Sequence, residues 1–212
     1  MTRIRITLTG ALVVAAALAA TSCGDVVRSG RAPVFLVIDS LQASRGGPTA
    51  GTPSSTLASD VITNVSTPAP CTTDKPCPTI FGDSGSVTLR LSPKDIGPTG
   101  SASPSTNNEV TITRAHIAYR RTDGRNVQGV DVPYAFDTAT TGTVPASGNV
   151  TLGFVLVRNT AKQESPLVQL ETNGIIISTI ADVTFYGRDQ VGNDISATGS
   201  IGIDFGNFGD TQ

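Results

Sequence analysis

The chain has 212 residues, with 22 Gly, 13 Pro, three Cys, one His and no Trp, and a formal net charge of −2. This length allows a buried core without metal or disulfide support. The near-neutral charge argues against a nucleic-acid partner, which needs a basic excess, and a single His excludes a multi-histidine metal centre.

The N-terminus reads as an export signal. Arg3 and Arg5 are followed by the apolar run Ala11 to Ala20 and then by small residues. Ten apolar residues make a helix of about 15 Å, half of the ~30 Å a bilayer core requires. The run has no polar face, unlike a core helix of a globular domain.

The segment closes on Ala20-Thr21-Ser22-Cys23, which resembles the lipobox of bacterial lipoproteins. The resemblance implies a signal peptide over 1–22, cleavage before Cys23, a diacylglycerol on its thiol and attachment to a membrane through that lipid. Asp25 stands one place beyond the position that favours inner-membrane retention, so the outer membrane is the preferred site. A soluble secreted protein cut after Ala17-Leu18-Ala19 is the alternative. No cofactor is expected.

Residues 23–33 read as a lipidated cysteine and short tether, and 34–212 as one domain. Val34 to Leu41 is the first strand expected. Arg45 to Thr56 is a loop by composition. Leu57 to Val65 fits either a short helix or a strand. The remaining cysteines, Cys71 and Cys77, have a C-x5-C spacing that matches neither a zinc knuckle nor a redox C-x-x-C motif. In an oxidising compartment they are expected to form a local disulfide, with two free thiols as the alternative.

Gly82-Asp83-Ser84-Gly85 resembles the tetrapeptide around the nucleophile of chymotrypsin-like serine proteases. The base histidine of that family precedes the serine, whereas His116 follows it here. The segment is therefore read as a polar turn entering the strand that carries Val87, Leu89 and Leu91. A hydrolase using Ser84 and His116 stays as a minor alternative.

A loop follows from Ser92 to Asn108. Val110 and Ile112 lie in one strand phase, Ile117 and Tyr119 in the other, which predicts a β-bulge near Thr113-Arg114. Asp123-Gly124 supplies a turn. Val130, Val132, Tyr134 and Phe136 alternate as a strand, with Pro133 marking it as an edge. Val150 to Leu156 is the next strand, and 159–174 could hold a helical turn. Ile175 to Phe185 and Ile195 to Phe205 read as a long hairpin across Gly192-Asn193-Asp194.

The pattern predicts an all-β fold: a single β-sandwich of about seven strands with long polar loops. Its build resembles immunoglobulin- and fibronectin-type exported domains. Arg114, Arg120, Arg121 and Arg125 form a local basic cluster, read as a possible anion-binding site against a solvated strand face. Asp189, Asn193 and Asp194 are oxygen ligands that could bind calcium, although turns favour these residues anyway. The function expected is a non-enzymatic envelope lipoprotein that binds an envelope protein or glycan, or gives structural support. A carbohydrate-binding module stacking sugars on Tyr119, Tyr134 or Tyr186 is the alternative.

Overall fold

The computed structural model describes residues 30–49, 51–94 and 104–209, so Cys23 and the export signal lie outside the described residues. Eleven strands occur among them: β1 (Val34–Ser44), β2 (Thr56–Asp60), β3 (Thr63–Val65), β4 (Cys77–Thr79), β5 (Asp83–Pro93), β6 (Val110–Arg120), β7 (Phe136–Thr138), β8 (Gly142–Val144), β9 (Asn149–Val157), β10 (Ile177–Asp189) and β11 (Asp194–Gly206). A helical turn, α1 (Asn159–Lys162), and two 3₁₀ turns (Thr106–Asn108, Leu167–Glu171) lie between the strands. Seven strands have five or more residues, and these include every strand read from periodicity except the one expected over Val130 to Phe136; the four of three residues are too short to carry a pattern.

The fold is an all-β sandwich. One sheet has the order β1-β5-β9. The other runs β2-β11-β10-β6, with β7 and β8 pairing separate stretches of β6. All pairings are antiparallel except β2 with β11. β3 and β4 form a small ribbon of their own. Inward residues of both sheets share one core: Val87 and Leu89 of β5 and Leu156 of β9 face Ile117, Val183 and Ile203 of the second sheet. Two edge-to-face aromatic contacts lie in this core, Phe154–Phe185 with centroids 5.3 Å apart and Tyr119–Phe205 at 6.0 Å. Packing starts two residues before β1, since Ala32 is buried and the Pro33 carbonyl accepts the Lys94 N–H.

The bulge expected in β6 is present. Arg114 faces Tyr186 and Ile112 faces Gly187, which leaves Thr113 unpaired and turns the apolar phase over. A second bulge at Asp39 does the same in β1, so Leu36 and Ala43 both reach the core although their positions differ in parity. This lets β1 run to Ser44, three residues beyond the strand read from sequence. The 57–65 segment resolves into the two strands β2 and β3.

Three expectations are corrected. Gly82-Asp83-Ser84-Gly85 is not a turn: β5 begins at Asp83, with Asp83 and Gly85 on the buried phase of Val87. Val130 and Tyr134 are exposed loop residues, and strand pairing begins only at Phe136. The loop stays irregular because Val127 and Asp131 make local turn hydrogen bonds, although Val132 is fully buried beneath it. Ile175 is 62 % exposed and precedes β10 rather than sharing its core phase.

Candidate functional site

Strand directions bring several chain segments to one pole of the sandwich. β1, β2, β9 and β11 end there and β5 begins there. Backbone leaving a ladder needs new partners, and buried charged side chains supply them at this pole.

Asp83, the first residue of β5, is wholly buried and pairs with Lys162 of α1, whose side chain is 1 % exposed; Nζ lies 2.9 Å from Oδ2. The Ser59 hydroxyl donates to the same oxygen at 2.5 Å, and the Gly46 N–H donates to Oδ1 at 2.8 Å. Lys162 Nζ also donates to the Asp60 carbonyl at 2.8 Å. The Asp60 carboxylate accepts from Arg45 at 2.5 Å, from Thr63 Oγ1 at 3.0 Å and from the Phe208 N–H at 3.1 Å. Burial pulls the Lys162 amine below its ordinary pKa, opposed chiefly by the Asp83 carboxylate.

Position 46 has to be glycine. A Cβ there would stand 2.1 Å from the Gly82 carbonyl oxygen, so only glycine brings its N–H to Asp83. Above this network, residues 45–49 and Gly51 enclose a pocket of about 350 Å³ with Thr63 and Asn64. This is at the small end of ligand-site volumes. Its charged member, Arg45, is already committed to Asp60.

The arginine cluster divides in two. Arg114 and Arg120 lie on β6, while Arg121 and Arg125 share Asp123 in the following turn. Arg114 pairs with Asp137 at 2.8 Å and stacks 3.8 Å from the Tyr186 ring centroid. Arg120 pairs with Asp182 at 2.6 Å. Each of the four therefore has an aspartate partner, and the three aspartates leave one of the four positive charges that an anion site would use. His116 Nδ1 lies 3.1 Å from the Asp137 carboxylate. That hydrogen bond, with Arg114 alongside, holds the Asp137 carboxyl below its ordinary range. Arg121 and Arg125 do the same to Asp123.

Ser84 and His116 are not brought together. Ser84 points outward from the β1-β5-β9 sheet, between buried Asp83 and Gly85. His116 points outward from the other sheet, between buried Ala115 and Ile117. Sheets of a sandwich pack about 10 Å apart, so the whole core separates the two side chains. Among the tyrosines, Tyr119 is buried in the core, Tyr186 lies under Arg114, and Tyr134 is about half exposed in a loop.

Asp189 is buried, and its carboxylate caps the hairpin turn. Oδ1 accepts the N–H groups of Val191 and Asn193, and Oδ2 accepts Asn193 Nδ2. Asp194 pairs instead with Arg188. Among the described residues no group of three or more His, Cys, Asp or Glu could hold a metal ion. Cys71 and Cys77 form the expected disulfide, which ties the middle of the loop joining β3 and β4 to the first residue of β4.

Asp83 was legible as a signal: it lies in phase with Val87, Leu89 and Leu91, so a carboxylate on the apolar face needed a buried cation. Lys162 and Asp60 carry no comparable pattern, because α1 and β2, whose last residues they are, are too short to show a period. No protein-family model matches the chain, and no curated protein matches its sequence.

Proposed function

We propose that this chain is a non-enzymatic lipoprotein of the bacterial cell envelope, anchored through Cys23, whose β-sandwich acts by binding an envelope protein or glycan or by structural support. One observation carries the reading. Cys71 and Cys77 are bonded to each other, so Cys23 is left over among three cysteines. It follows an apolar run with a basic start, after Thr21 and Ser22, where lipidation would use it. Two or three acyl chains would give stable attachment, at about 0.8 kcal/mol per buried CH₂.

The immunoglobulin-like reading is supported by strand order. With β1, β5, β6, β9, β10 and β11 taken as A, B, C, E, F and G, the sheets read ABE and GFC. The charge balance, with paired arginines on the β6 face, supports a partner other than nucleic acid.

The anchor is tested by metabolic labelling with a palmitate analogue and mass spectrometry of the N-terminal peptide, comparing wild type with Cys23→Ser. Label on a peptide beginning at Cys23, lost in the variant together with membrane association, is expected. An unmodified N-terminus on the wild-type protein overturns the anchor.

A further inference from the structure

We propose that Lys162 and Asp83 are a self-processing site, at which the buried ion pair condenses into an intramolecular amide bond.

Three features of the geometry meet the needs of this chemistry. The nucleophile and the carboxyl are already in contact, with Nζ 2.9 Å from Oδ2. Holding reactants at such a separation replaces a bimolecular encounter by a unimolecular step, with effective molarities on the order of 10⁵ M or more. Second, the pair is dry, since the two side chains are 1 % and 0 % exposed. Burial disfavours the charged form of the Lys162 amine, and the neutral amine is the nucleophile.

Third, the carboxyl is polarised from both sides. The Gly46 N–H points at Oδ1, where negative charge develops when an amine adds to Cγ. The Ser59 hydroxyl donates to Oδ2, the oxygen that departs. The Asp60 carbonyl accepts from Nζ and fixes the orientation of the amine.

The step balances without an external reagent. The ammonium gives one proton to Oδ2, leaving a neutral amine beside a carboxylic acid. Nζ adds to Cγ, forming the N–C bond and placing the negative charge on Oδ1 against the Gly46 N–H. A second proton passes from Nζ to Oδ2, the Cγ–Oδ2 bond breaks and water leaves. Ammonium and carboxylate become an amide and one water, with no change in net charge or oxidation state. The neighbouring Arg45–Asp60 pair cannot follow this course, because a guanidinium stays protonated and is no nucleophile. The bond would tie the start of β5 to the turn after β9, closing a loop of about 80 residues in addition to the disulfide.

The test is peptide mapping by mass spectrometry of the full-length protein after reduction and complete denaturation. The expected result is one cross-linked species joining the peptides that contain Asp83 and Lys162, about 18 Da lighter than their sum, with no tryptic cleavage after Lys162. Asp83→Asn is expected to give the same bond with loss of about 17 Da, because ammonia leaves in place of water. Two separate wild-type peptides, with Lys162 cleaved by trypsin and open to acylation, overturn the proposal. The wild-type map decides it even if the variant does not fold.

Discussion

The Tyr119 hydroxyl donates a hydrogen bond to the Leu156 carbonyl at 2.7 Å, joining β6 of one sheet to β9 of the other through the core. Burial, with Asp83 nearby, raises the phenol well above its ordinary pKa. Tyr119→Phe keeps the ring and its contact with Phe205 but leaves a buried carbonyl without this donor, a cost of about 1–2 kcal/mol in denaturant unfolding. The sign with pH follows from the raised value: the stabilisation is complete below the unfolded phenol's pKa of about 10 and is lost as pH rises through the folded value. The wild-type advantage over Tyr119→Phe should therefore shrink on going from pH 9 to 12. An advantage that grows over this range contradicts the assignment.

Gly85 and Phe154 face each other across β5 and β9, and a Cβ on Gly85 would come within 2.3 Å of the Phe154 ring. Gly85→Ala should therefore lower stability by about 1–3 kcal/mol through overpacking. Phe154→Leu costs stability by itself, but in the double variant part of the Gly85→Ala penalty should disappear. A double-mutant cycle measures this coupling, and strict additivity would mean that the ring does not limit the site.

Asp182 bridges β6 and β11, accepting from Arg120 and from the Ser200 hydroxyl at 2.6 Å each. Burial tends to raise its pKa, but the hydrogen bonds from Arg120 and Ser200 outweigh this and leave the carboxyl below its ordinary value. A depressed folded pKa gives stability that is present above the unfolded value and is lost as pH falls through the folded one. Wild type should exceed Asp182→Asn in thermal midpoint at pH 6, with the gap closing below about pH 3.9. A gap independent of pH would show that the ionised carboxylate is not the source.

Cys71 and Cys77 are six positions apart, so their bond constrains a short loop. Replacing both by Ser should cost about 2 kcal/mol, at the low end for disulfides, because loop-closure entropy grows with length. Proteolysis within residues 72–76 should speed up more than global unfolding, since the bond closes that short loop alone. Equal acceleration of both would place the disulfide in the global unfolding unit.

Long strands were readable because burying one face enforces an apolar period of two. β5, β9, β10 and β11 show this period over nine or more residues. The β6 bulge was readable for the same reason, since an inserted residue inverts the period. Val130 and Tyr134 show where periodicity fails: they alternate as a strand does, yet local turn bonds hold that segment and leave both side chains outside. In the arginine cluster the cations were visible in the sequence. Their neutralisation was not, since Asp137 and Asp182 lie on other strands and reach Arg114 and Arg120 only through register.

By itself the sequence determined the class of fold, the hairpin of β10 and β11, and the pairing of Cys71 with Cys77. These rest on local alternation or on short separations along the chain. Only the tertiary structure decided that Asp83 and Lys162 meet in a dry core, that Ser84 and His116 are held on opposite faces, and that Tyr119 ties the two sheets together. Such relationships depend on which strands become neighbours and which sheet faces which, and no local period encodes that choice.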